Sequence, residues 1–364
     1  MSTPEPVAAL GLTSWRSNNN IKSIALLAAF PLLLLLLLGG VFFLFGLFMG
    51  AGHHHYGYGA WDQFGLEPVL GTGSPLDLAL SAIVAYWPIV FGAAAIWILI
   101  GYFFNDSIIH MATGAKPVTR QDAPQLYNLL ENLCISRGLN VPKLYIIDTD
   151  VMNAYASGID DKSYAITVTR GLLDVLDRDE LETVLAHELT HIIDRDCRLL
   201  IITIVFTGMI SFLAQLLWSS IRFSAFTRGR SRRGGGAFFM IAIAAAVMFV
   251  GYLLALILRF ALSRRRELLA DAGSVELTKN PDALISALLK ISKNAEIPHV
   301  PSEVRQMFIE NPPSFFDLGG LFATHPTIEK RVQILEGLGG KLPTSPAPAA
   351  PELAPGTSHS GPWG

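Results

Sequence analysis

"LAHELTHIIDRD", residues 185–196, is the stretch on which the reading of this chain turns. On a helix, positions four apart share a face, so His187 and His191 can offer two imidazole nitrogens to one metal ion, with Glu188 beside the first. The bland alternative is an ordinary helix surface. A chance HExxH in a chain of 364 residues is about a 1% event, so the pattern has weight but needs a third ligand and a supporting shell. Just upstream, Asp177 followed three residues later by Glu180 reads as an Asp-led capping box. It opens a helix that runs through the motif.

The surroundings are not those of a soluble enzyme. The chain is 51% hydrophobic and 16% charged, with a mean hydropathy of +0.43, which points to a membrane protein carrying a soluble part. A net charge of −3, with the arginine clusters set beside apolar segments, excludes a nucleic-acid partner and leaves the lipid bilayer as one. Cys134 and Cys197 build no disulfide framework. Cys197, close after the motif, reads as a packed thiol rather than a stray ligand.

The chain divides by composition, without internal repeats. Residues 1–21 form a polar N-terminal segment. A transmembrane hairpin over 22–104 follows, with spans at about 22–50 and 76–104. The first span is too long for the apolar core of a signal peptide, about 7 to 15 residues, and reads as an anchor. Residues 105–198 hold the first part of a catalytic domain, including the HExxH helix. Leu126, Leu129, Leu130 and Leu133 have helical spacing, and "KLYIIDT" and "YAITVT" read as short strands. A second hydrophobic hairpin occupies 199–260. The second part of the catalytic domain covers 261–340, with helices expected from Asp282 and in "TIEKRVQILEGL", and 341–364 is a Pro-rich tail expected to be disordered. The fold class is therefore a membrane α-helical protein of about four spans with an α+β, zincin-like catalytic domain.

Orientation follows from the basic residues near the spans. The loop 51–75 has none, whereas Arg16, Lys22, Lys116, Arg120, Arg195, Arg198, Arg264, Arg265 and Arg266 lie on the other side. That side is expected to be the cytoplasm. Arg222, Arg228, Arg230, Arg232 and Arg233, between the last two segments, oppose this, unless that hairpin does not fully cross.

Zinc hydrolases commonly use three protein ligands and leave a fourth position to water. Downstream candidates are Glu267, Asp271, His299 and His325. Glu267 is the best, because Asp271 follows at i+4 on the same helix face and can accept the ring N–H of a ligand histidine. Taken alone, Glu267 would read as a charge paired with Arg264 or Arg266, and Asp271 as a capping carboxylate. The run His53, His54 and His55 reads as a glycine/aromatic loop, since three adjacent side chains do not converge on one ion.

"HELTH", then "SRRRELLADAG" at 263–273, then "FATHPTIEKRVQIL" at 322–335, resembles the HtpX family of membrane-bound zinc endopeptidases, as do "MNAYASG" at 152–158 and "ITVTRGLLDVL" at 166–176. The resemblance covers residues 20–340, although Leu268 stands where many relatives carry an aromatic residue. It implies one Zn2+ per subunit held by His187, His191 and Glu267, with Glu188 as the catalytic glutamate and Asp271 as the supporting acid. It also implies protein substrates, membrane or misfolded, in membrane protein quality control, and residence in a bacterial-type cytoplasmic membrane. His325 reads either as an oxyanion donor or as a structural histidine opening the last helix. Substrate is expected to lie as an extended strand on an exposed sheet edge at Asn153, Ala154 and Tyr155 or along "YAITVT". Two rivals remain: a CAAX-type prenyl-protein protease, disfavoured by the small number of spans, and a zinc-stabilised scaffold or chaperone adaptor without catalysis. A transporter is disfavoured, since no paired acids lie in the spans.

Overall fold

A computed structural model describes residues 12–51, 74–227, 249–251, 265–295, 297, 300, 304, 307–309 and 326–342. By internal contacts the chain falls into two units, one of residues 1–23, 102–201 and 261–364, the other of 24–101 and 202–260.

The second unit is helical. It holds most of α1 (Leu12–Ala51), the first two thirds of α2 (Pro75–Thr113) and most of α6 (Asp196–Thr227). Among the described residues, three helices are long and apolar enough to cross a membrane, at Asn19–Leu44, Pro75–Thr113 and Asp196–Leu213. Leu32, Val84, Ile89, Ile96 and Leu99 point outward, as lipid-facing side chains do because nothing is gained by hiding them from hydrocarbon. Inside, Phe30 stacks on Phe206 with ring centroids 4.0 Å apart, and Trp97 donates to the Val205 carbonyl at 2.9 Å. Apart from residues 249–251, the fourth expected span lies outside the described residues. So do the loop with His53, His54 and His55, most of the arginine-rich connection and the tail after residue 342.

The first unit is α+β. Its sheet has four strands, β1 (Lys116–Pro117), β2 (Lys143–Ile147), β3 (Ala154–Ser157) and β4 (Ala165–Thr169), in the order β1-β2-β4-β3. β2 and β4 run parallel, with Lys143 opposite Ala165, and the other pairs are antiparallel. This overturns half of the expectation about the sheet edge. "YAITVT" is an inner strand, buried at all five positions, because β4 receives β2 on one side and β3 on the other. The alternation Ile166, Thr167, Val168, Thr169 reads like a strand with one polar face, but both threonines are buried here, so the pattern does not reveal the strand's place in the sheet.

Helices cover the sheet. α3 (Pro124–Arg137) buries Leu126, Leu129, Leu130 and Leu133, the stripe its spacing indicated, and ends at Gly138, whose φ of 64° suits a residue without Cβ. α4 (Arg170–Val175) leads into α5 (Arg178–Ile193). The α5 capping box is present, with the Asp177 side chain accepting from Glu180 N and the Glu180 side chain accepting from Asp177 N. After residue 264 come α7 (Arg265–Thr278), α8 (Pro281–Ile291) and α9 (Ile328–Gly337). α8 is fastened to the start of α5 by Lys290 Nζ and Ser286 Oγ, each 2.6 Å from a Glu180 oxygen. α7 crosses α5 closely. A Cβ at Gly273 would overlap the Thr190 side chain, and Ser274 Oγ donates to the Thr183 carbonyl at 2.6 Å.

Candidate metal centre

α5 is buried over most of its length, and His187, Glu188 and His191 lie on one side of it. The glycine-permitted crossing brings Glu267, in the first turn of α7, to the same place. Ligand-type atoms of His187, His191 and Glu267 all lie within 4.8 Å of one another. His187 Nε2 is 3.7 Å from Glu267 Oε2, and His191 Nε2 is 3.8 Å from Glu267 Oε1. These distances exceed a hydrogen bond. They are the spacing expected of donors that share an ion, since ligands at about 2.0–2.2 Å from zinc sit about 3–4 Å apart.

Burial strengthens the case. His187, Glu188 and Glu267 are at most 1% exposed, and His191 is 8% exposed. His187 Nε2 and both Glu188 oxygens have no hydrogen-bond partner among the described residues. A buried polar atom left unpaired costs about 1–3 kcal/mol, so a cluster of them implies a missing partner. Two imidazoles and a carboxylate are the donor set of a catalytic zinc site, and the residues present fit that ion. Complete burial raises the Glu188 carboxyl above the usual carboxylate range, while the His187 and His191 rings pull it back.

Each histidine is backed by a carboxylate on its other nitrogen. His187 Nδ1 lies 3.0 Å from Asp271 Oδ1, and Asp271 is gripped by Arg331 of α9, whose Nε and second terminal nitrogen donate to its two oxygens at 2.9 and 2.6 Å. Burial would raise the Asp271 carboxyl, but Arg331 and the bond from His187 hold it below the ordinary value. His191 Nδ1 lies 3.0 Å from Asp196 Oδ2. Asp196 therefore supports the second histidine as Asp271 supports the first. Arg195 adopts a left-handed φ of 61°, which ends α5 and folds the next side chain back under His191. Arg331, inside the motif at 322–335, was equally silent in the sequence as a support. The signals available were weak: an aspartate five residues after a ligand, and one arginine in an amphipathic helix.

The three strand residues are placed differently from one another. Among the described residues β3 lies at the edge of the sheet, but it is buried at all four positions rather than exposed, and Ile309 N covers it by donating to the Ala154 carbonyl at 2.9 Å. The Asn153 side chain donates to the Ala295 carbonyl at 2.7 Å and accepts from Ala154 N. Tyr155 turns inward, with its hydroxyl 3.0 Å from Thr113 Oγ1 and its ring beside Phe308. Because Asn153 pairs with Thr169, alternation leaves the outward main-chain groups of β3 to Ala154 and Ala156. His299 and His325 lie outside the described residues.

Comparison with known proteins agrees with this geometry. The model of peptidase family M48 matches residues 120–338. A protease HtpX homolog of Bacteroides fragilis is 43% identical over 333 residues, 90% of this chain and 98% of its own. One from Dictyoglomus thermophilum is 37% identical over 272 residues, 72% of this chain and 88% of its own. Among solved structures, that of S. mikatae Ste24p is 20% identical with a TM-score of 0.42, covering 69% of this chain and 58% of that one, a likeness too low to establish a shared fold. The chain belongs to the HtpX proteases of peptidase family M48 and is a membrane-anchored, zinc-dependent metalloprotease.

Proposed function

We propose that this protein is an endopeptidase of a bacterial-type cytoplasmic membrane that cleaves membrane or misfolded proteins on the cytoplasmic side, in the service of membrane protein quality control. His187, His191 and Glu267 would hold one zinc ion per chain, and Glu188 would act as the general base. The observation that carries this reading is the buried convergence of three donor atoms within 4.8 Å beside a glutamate with two unpartnered oxygens.

When bound, zinc polarises a peptide carbonyl and lowers the pKa of a coordinated water to about 7. The protein's own side chains do the rest. Asp271 and Asp196 accept the Nδ1–H of their histidines, which fixes the ring tautomers and turns Nε2 toward the ion. Glu188 takes the proton of the attacking water and passes it to the leaving amine. His325 is assigned as donor to the developing oxyanion on its place in the sequence motif.

Substrate would pair as an extended strand with the outward main-chain groups of Ala154 and Ala156. The Ile309 amide on the Ala154 carbonyl shows that an N–H is received there. A bound peptide would take its place.

The reading is tested by stripping zinc from the detergent-solubilised protein and measuring cleavage of casein. Cleavage should vanish and return with stoichiometric Zn2+. Cleavage that survives removal of the metal would refute it. Alkaline phosphatase fused after Gly340 should be inactive in an intact bacterium, and an active fusion would refute the cytoplasmic placement.

A further inference from the structure

The first helix does more than anchor the chain. Its polar opening turns contain Asn19, which is 1% exposed although it lies in a helix end rich in exposed apolar residues. Its Nδ2 donates to Asp196 Oδ1 at 2.6 Å and to the Asp194 carbonyl at 3.1 Å. The other oxygen of Asp196 meets His191 Nδ1 at 3.0 Å. Next to it, Asn20 Oδ1 accepts from the Arg195 guanidinium at 3.1 Å, a contact to the side chain of Arg195 rather than to Asp196.

We propose that Asn19 is a positioning residue of the metal centre, fixing the Asp196 carboxylate so that His191 keeps its ring orientation and presents Nε2 to the ion. The inference rests on the zinc reading above and extends it to a residue 172 positions before the ligand it serves. Its chemistry mirrors the other half of the site. Asp271 has both oxygens occupied by Arg331 and His187, and Asp196 has its two occupied by Asn19 and His191. A buried carboxylate with one oxygen released would swing toward any remaining donor, and the histidine would follow. Supporting groups of this kind contribute about 10–100-fold to metal affinity. Asn19 acts one bond further out, so the lower end of that range is expected.

The experiment uses the full-length protein in detergent on a Glu188→Gln background, which prevents self-digestion. Zinc affinity is measured by competition with a chromogenic chelator, and the ligand field by the visible spectrum of the cobalt-substituted protein. Asn19→Leu, nearly isosteric and without a donor, should bind zinc about 10-fold more weakly and shift the cobalt bands. Asn19→Gln, which keeps an amide donor, should fall between. Asn20→Ala, which removes only the neighbouring contact to Arg195, should match the parent. Zinc affinity and cobalt spectrum unchanged in Asn19→Leu would overturn the proposal, as would an equal loss in Asn20→Ala. Should Asn19→Leu misfold, the comparison of Asn19→Gln with the parent decides in the same way. Failure of the parent itself to bind zinc would instead overturn the underlying reading.

Discussion

The two histidines of the metal centre are held from opposite ends of the chain. His187 leans on Asp271 and through it on Arg331, both in helices that follow residue 264. His191 leans on Asp196, at the junction between the end of α5 and the start of α6, and through it on Asn19 of the first helix. The first support is a buried ion pair, and the second is a neutral amide on a carboxylate. A buried ion pair broken on one side leaves an uncompensated charge. A broken amide contact leaves two hydrogen bonds unmade and no charge without its counter-ion. The His187 side is therefore built into the stability of the fold, whereas the His191 side is a tuning of the metal site.

That contrast breaks most visibly at the two aspartates. Asp271→Ala strands Arg331, which has no exposure, and should cost about 3–5 kcal/mol of stability, read as a drop in thermal midpoint even without zinc. Asp196→Ala leaves the donors of Asn19 and His191 short of a partner, should cost less, about 1–3 kcal/mol, and should weaken zinc binding about 10–100-fold. Equal effects of the two changes on metal-free stability would erase the distinction. Asp271 also sets a pH dependence. The folded pKa of Asp271 is depressed, so its contribution is complete above the ordinary carboxylate value of about 3.9 and is lost as pH falls through the lowered one. Acid unfolding should accordingly be less steep in Asp271→Asn.

A smaller effect is expected where the two halves meet. Gly273→Ala places a methyl against Thr190 and should cost about 1–3 kcal/mol while moving Glu267 away from both histidines, so zinc loss should accompany the destabilisation. Destabilisation with full zinc content would show that the crossing does not set the site. Smallest of all, Asp177→Ala removes the cap of α5 and should cost about 1 kcal/mol, with zinc content unchanged. Loss of zinc there would mean that the helix start and the site are coupled.

The asymmetry also explains what could be read from residues alone. His187, Glu188 and His191 stand on one helix, and Glu267 and Asp271 on another, at spacings that helical geometry brings to one face. Local periodicity was enough for these and for α3. It could not see Asp196, because that side chain reaches His191 only through a left-handed turn at Arg195, a residue type that gives no warning of it. Nor could it see Asn19 or Arg331, whose partners are 177 and 60 residues away. The inner position of β4 was hidden for a related reason. Strand order depends on which strands pair, and a short alternating run is compatible with an edge or a centre.

The central claim is that Glu188 does chemistry on substrate while His187, His191 and Glu267 hold the metal. Glu188→Gln, purified at full length and assayed for zinc and for casein cleavage together, tests it most directly. The account predicts one zinc per chain, as in the parent, and cleavage reduced to background. Cleavage retained at a substantial fraction of the parent's rate would contradict it.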